Sequence, residues 1–208
     1  MIKRPLISYS IFVGIFLFLI MYSIVNKVYA YTNDSLVFIA LLTIALIFYK
    51  KLNLNKVIFI VLGIAMLLHN LGVFGFYAHT PILIQYDHVT HLVGMFAVSI
   101  FLYNYLEKKK LSKVTLILLV FLATLGVGAL IEQIEFTGYL SLGKGEGLFY
   151  FGGTGDTGVS GLIEQNLQDI DELGGGFLNT MWDLIYNFFG AVIGIGISVI
   201  RQVRNQKI

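Results

Sequence analysis

Apolar residues run along this chain in six long blocks, at about 6–25, 35–49, 57–77, 88–105, 114–136 and 178–200, parted by polar stretches of which one is long. A helix crosses the hydrocarbon core of a bilayer with roughly 17–25 mostly apolar residues. The blocks approach or reach that length, the second being the shortest. Both prolines, Pro5 and Pro81, fall outside the blocks, so nothing in them breaks a helix. The pattern predicts an all-α integral membrane bundle of about six transmembrane helices, formed as a single polytopic domain over residues 1–208.

The first block follows Lys3 and Arg4 and precedes a small residue, Ala30, so a cleaved signal peptide competes with a first membrane span. Its apolar run from Leu6 to Val25 exceeds the roughly 7–15 residues of a signal core. More apolar blocks follow it, and a transmembrane helix is the better reading.

Basic residues orient the bundle, because Lys and Arg concentrate in cytoplasmic loops. Lys3, Arg4, Lys50, Lys51, Lys56, Lys108, Lys109, Lys110, Lys113, Arg201, Arg204 and Lys207 fall on one side, leaving only Lys27 and Lys144 of the 14 basic residues on the other. Both termini are therefore expected in the cytoplasm of a cell-membrane protein. Acids do the reverse: Glu107 alone lies on the inner side among 12. The net charge of +2 is too small to suggest a nucleic-acid partner. With no cysteine, disulfides, thiolate metal sites and cysteine nucleophiles are excluded.

One connection, at about 137–176, is long, glycine-rich and acidic. Loops of this length are commonly functional or disordered. Within it VSGLIEQNLQDIDEL spaces Ile163, Leu167 and Ile170 at helical intervals, as in a short amphipathic helix. A lid over the outer face and a solvated connector both fit. GYLSLGKG at 138–145 mimics a phosphate-binding loop but has Gly145 where Ser or Thr is needed. GVSG at 158–161 has no following histidine to activate Ser160, and the single GGTGDTG string is too short for a calcium-binding repeat.

The chemistry concentrates where the fourth, fifth and sixth blocks meet the outer side. YDHVTHLVGM places Asp87 and His91 four residues apart, on one helix face. GALIEQIEF carries Glu132 and Glu135, and NTMWDLIYNFFG carries Asp183 and Asn187. At about 1.5 Å per residue these six side chains reach one depth in the outer leaflet, where His69 and Asn70 of the third block can join them. Gly128 lies one turn from Glu132, while Asn179, Asp183, Asn187, Gly190 and Gly194 form a face that ends in a small-residue stripe. Such faces point into a bundle. His88 lies on another face from His91, His79 reads as a loop residue, and Trp182 as an interfacial aromatic.

An acid at the bilayer centre costs about 2.5–3.5 kcal/mol, and less near the interface, so several unpaired acids would cost several kcal/mol. No lysine or arginine lies at this depth to offset that. A bound cation, protons shared between carboxyls, or hydrogen bonds to His91 and Asn187 would. His91, Glu132 and Asp183 are the expected ligands of a divalent metal (zinc, iron or manganese), with Glu135 or Asp87 as general base and Asn187 and His69 as further members. The competing reading is a hydrogen-bonded plug that fixes helix packing.

These residues resemble the YjdF-like membrane proteins and, in motif, the VanZ-like proteins. Tyr86, Asp87, His91 and Gly94 are similar to the Tyr-Asp-x-x-x-His and glycine of the former. Glu132, Glu135 and Phe136 look like its Glu-x-x-Glu-aromatic, and Thr180, Asp183, Asn187 and Gly190 like its last motif, where Asn179 stands in place of an acid. The resemblance covers the last three blocks, with lesser support from Gly72, Tyr77 and Pro81. It implies an envelope membrane protein without an agreed reaction.

Three functions follow as expectations. In the first, the cluster performs metal-dependent action on, or binding of, a membrane lipid or lipid-linked substrate of the cell envelope. In the second, a non-enzymatic protein uses it to bind a cation or fix packing. A proton- or cation-coupled transporter is weaker, because the inner half of the blocks has almost no polar residues to complete a path.

Overall fold

The computed structural model describes residues 5–27, 32–74, 76, 85–142 and 175–205. These form six helices, α1 (Leu6–Val25), α2 (Thr32–Ile47), α3 (Lys56–Val73), α4 (Tyr86–Leu106), α5 (Lys113–Leu142) and α6 (Gly175–Asn205), with no strand among the described residues. Each helix falls on one apolar block. All but α2, with 16 residues, are long and apolar enough to cross a membrane.

The helix ends depart from the apolar blocks. α3 stops at Val73, short of residue 77, whereas α5 runs on to Leu142 and α6 starts at Gly175, so the long connection is shorter than 137–176. Hydropathy marks where lipid contact ends, but a helix continues while its backbone ladder is satisfied. Thr137 shows this, since its hydroxyl donates back to the Gln133 carbonyl at 2.7 Å within the turn. The amphipathic stretch in 159–173, GVSG, the glycine-aspartate string and His79 lie outside the described residues, as does the end of the phosphate-loop mimic.

The turn between α2 and α3 is built for reversal. Asn53 takes a left-handed backbone (φ 53°), which asparagine tolerates better than most residues. The Asn55 side chain then accepts from the Ile58 N–H at 2.9 Å and caps α3.

Large apolar side chains join α1, α2 and α3 around Phe12, Phe16, Phe38, Leu42 and Phe59. The Phe12 ring lies against Gly63, where a Cβ would clash with the ring edge. Elsewhere α4 and α6 make the most extensive helix pair. Gly190 and Gly194 let α6 touch the α4 backbone: a Cβ on Gly190 would meet the Leu92 carbonyl, and one on Gly194 the Phe96 carbonyl and the Ser99 hydroxyl. This is the close approach that a small-residue stripe allows in helix pairs.

α4 is fastened at both ends. At its start the Tyr86 hydroxyl donates to the Leu68 carbonyl on α3 at 2.9 Å. At its end Arg201 of α6 donates to the Asn104 side chain at 2.9 Å and lies 3.5 Å from Glu107, while the Tyr103 hydroxyl donates to Gln202 at 2.7 Å. The Asn53 and Asn104 side-chain amides donate to each other's backbone carbonyls. The basic ends of these helices thus gather on one side, opposite the ends that carry Asp87, Glu132 and Asp183.

Candidate polar site

His91 is the hub of the opposite end. It lies one turn into α4, and four side-chain oxygens from three helices surround its ring. Nδ1 faces Asn187 Oδ1 of α6 at 3.1 Å and Glu132 Oε1 of α5 at 3.4 Å. Nε2 faces Asp87 Oδ1 at 3.5 Å and Asp183 Oδ1 at 3.9 Å. Every one of these oxygens is a hydrogen-bond acceptor when the carboxyls are ionised, and an imidazole carries at most two N–H groups. With the carboxyls ionised, the ring's own protons cannot satisfy all four oxygens.

Local sequence places each member. The i,i+4 spacing stacks Asp87 over His91, and Thr90 donates to the Asp87 carbonyl at 2.7 Å, steadying the first turn of α4. Glu132 is brought in because Gly128, one turn below it, leaves room for Asn187, whose amide nitrogen would lie 2.7 Å from a Cβ there. The Glu132 carboxyl also reaches Thr180 in the second turn of α6. Asp183 and Asn187 share the α6 face that the Gly190–Gly194 stripe presses onto α4. Asp183 is 1% exposed and within hydrogen-bonding reach of Asp87.

Lysine and arginine occur on α4, α5 and α6 only at the far ends, at Lys113, Arg201 and Arg204. Asp87, His91 and Asp183 each offer a ligand atom within 4.8 Å of the others, and so do His91, Glu132 and Glu135. The sets share His91, with Asp87 and Asp183 nearest its Nε2 and Glu132 nearest its Nδ1. The three side chains expected to share one metal, His91, Glu132 and Asp183, are therefore together around one ring, but Glu132 and Asp183 face opposite sides of it. Glu135 is half-buried beside Glu132.

Two features were not visible in the sequence. His88, assigned to another face, brings its Nε2 to 3.9 Å from Asp183 Oδ1 and has no hydrogen bond on that nitrogen among the described residues. Its ring is stacked flat on Tyr186, with centroids 4.6 Å apart, beside Trp182. Its position three residues before His91 was the signal. His69 and Asn70, expected as further members, contact α2: His69 Nε2 lies 3.5 Å from the fully buried Asp34, and Ser35 donates to Asn70 at 3.1 Å. A carboxylate followed by a serine at the head of an apolar helix was the available hint.

Outward-facing Phe18, Leu122, Phe189 and Ile197 leave the bundle apolar on the outside while its acids and histidines are inside. Such an arrangement, on helices long enough to span a bilayer, defines a multi-pass helical membrane protein. The chain belongs to the family described as predicted membrane protein (DUF2238), whose model matches residues 7–204. No curated protein and no solved structure matches it.

Proposed function

We propose that this is a multi-pass cell-membrane protein, with both termini cytoplasmic, whose polar site holds a divalent cation on the Nε2 side of His91 and acts on, or binds, a lipid-linked substrate of the envelope at the outer leaflet. The observation that carries the proposal is the encirclement of His91 by four acceptor oxygens at 3.1–3.9 Å, with no lysine or arginine among the encircling side chains. Zinc ligands at 2.0–2.2 Å and the tetrahedral angle stand about 3.3–3.6 Å apart. The 3.5 Å separation of Nε2 and Asp87 fits, and the 3.9 Å to Asp183 closes with a small side-chain shift.

His91 then has the setting of a metal-bound histidine, its second nitrogen held by Asn187. Asp87 reads better as a ligand than as a general base, and Glu135 keeps the expected role of proton acceptor. A divalent ion here would supply a Lewis acid and an activated water for hydrolysis. The distribution of basic residues supports the orientation. Likeness to YjdF-like and VanZ-like motifs supports an envelope role.

Elemental analysis of detergent-purified protein, made without added metal or a metal-binding tag, tests the proposal. Zinc, iron or manganese at one ion per chain or more is expected in the wild type, none in well-folded His91→Ala, and at least one ion fewer than the wild type in well-folded Asp183→Ala. A metal-free wild type refutes it. That outcome favours the second reading, a packing plug, for which the specific observation is Asn187, which bonds His91 on α4 and fills the space over Gly128 on α5.

A further inference from the structure

The Nδ1 side of His91 has its own geometric problem. Asn187 Oδ1 at 3.1 Å and Glu132 Oε1 at 3.4 Å both face this one nitrogen, which carries a single hydrogen at most. If Asn187 takes that hydrogen, Glu132 goes without. Glu132 is buried at 8% exposure, and Oε1 has no hydrogen bond among the described residues. When Glu132 is ionised, a buried carboxylate oxygen aimed at a nitrogen it does not bond is costly to leave in place. Glu135 also reaches this point, within 4.8 Å of both.

We propose a second cation-binding position on the Nδ1 side of His91, with Nδ1, Glu132, Glu135 and Asn187 Oδ1 as ligands, so that the imidazole bridges two divalent ions. The inference rests on the first position only in sharing His91; its remaining ligands are separate. Separations of 3.1 and 3.4 Å from Nδ1 are those of neighbouring ligands on an ion at 2.0–2.2 Å, between right-angle and tetrahedral geometry, at about 2.8–3.6 Å. One cation would satisfy both oxygens that one hydrogen cannot. The second ion replaces the ring's remaining N–H proton, which leaves to water. It also converts Glu135 from proton acceptor to ligand.

Charge supports two ions over one. Asp87, Asp183, Glu132 and Glu135 bring four carboxylates to the site, and a single divalent ion matches two of them. Two ions offset all four and leave only the single negative charge of the imidazolate.

The test is zinc stoichiometry after loading and dialysis, read by elemental analysis on wild type, a Glu132→Gln, Glu135→Gln double variant and an Asp87→Asn, Asp183→Asn double variant. About two ions are expected in the wild type and about one in each double variant. A wild type with about one ion, unchanged by the glutamate substitutions, overturns the second position and leaves the first standing. A wild type with none overturns both. Should the glutamate variant fail to fold, the copper(II)-loaded wild type decides by electron paramagnetic resonance. An imidazolate bridge couples the spins and lowers signal intensity, and a full-intensity spectrum of isolated ions overturns the proposal.

Discussion

Replacing Gly194 by alanine tests the contact that brings Asp183 and His91 together. The new Cβ would stand 2.8 Å from the Phe96 carbonyl and against the Ser99 hydroxyl. Ser99 is already committed, donating to that same carbonyl at 2.9 Å. Turning it away loses a hydrogen bond of about 0.5–1.5 kcal/mol. The Phe96 carbonyl belongs to backbone and cannot rotate, so α6 has to move off α4, and overpacking of this kind costs about 1–3 kcal/mol. Alanine returns roughly 0.8–1.0 kcal/mol of helix propensity. The balance is a loss of about 2 kcal/mol. Gly196, two residues on, is the control, because a Cβ there meets nothing within 4 Å and only the propensity gain applies. At roughly 2–4 °C per kcal/mol for a chain of this size, Gly194→Ala lowers the melting temperature by about 4–8 °C and Gly196→Ala raises it by about 1–4 °C. Thermal unfolding in detergent, followed by size-exclusion chromatography, reads both. Equal melting temperatures for the two variants would refute the close α4–α6 packing on which the site geometry depends. Ser99→Ala added to Gly194→Ala removes one of the two obstacles and recovers part of the loss.

Two further outcomes are open to measurement. Removing His69 strips Asp34, 0% exposed, of its 3.5 Å partner, and loss of one member of a buried pair costs about 3–5 kcal/mol. Replacing both residues by leucine restores stability close to the wild type, because the pair's own desolvation disappears with it; a His69→Ala protein that melts like the wild type would sink this account. Trp182 is the single tryptophan of the chain and its ring lies 6.2 Å from that of His88, so all tryptophan emission arises beside the polar site. Copper(II) is expected to quench that emission in the wild type and much less in Asp183→Asn, and equal quenching in both would place the ion elsewhere.

What was legible in the sequence is what depends on one helix at a time. Asp87 and His91 share a face because four residues make a turn, and the lysine distribution sets alternate helices antiparallel, so Glu132 and Asp183 arrive at the same end without knowledge of any contact. Which helices are neighbours was not legible. The pairing of Asp34 with His69 and of Ser35 with Asn70 follows from α2 lying against α3. Seen on one helix, both histidine and asparagine of α3 belong as well to the main cluster as to this one. His88 was set on another face from His91, yet three residues bring the two within about 60° on a helical wheel, and Gly190 and Gly194 press α6 so near to α4 that Asp183 lies within 3.9 Å of both rings. The division of the carboxylates between two imidazole nitrogens lies one level deeper still, since it depends on the rotation of a single side chain. Spacing predicts that His91, Glu132 and Asp183 meet. Only the orientation of the ring separates one shared ion from two bridged ones, and that difference decides whether the glutamates of α5 move protons or hold metal.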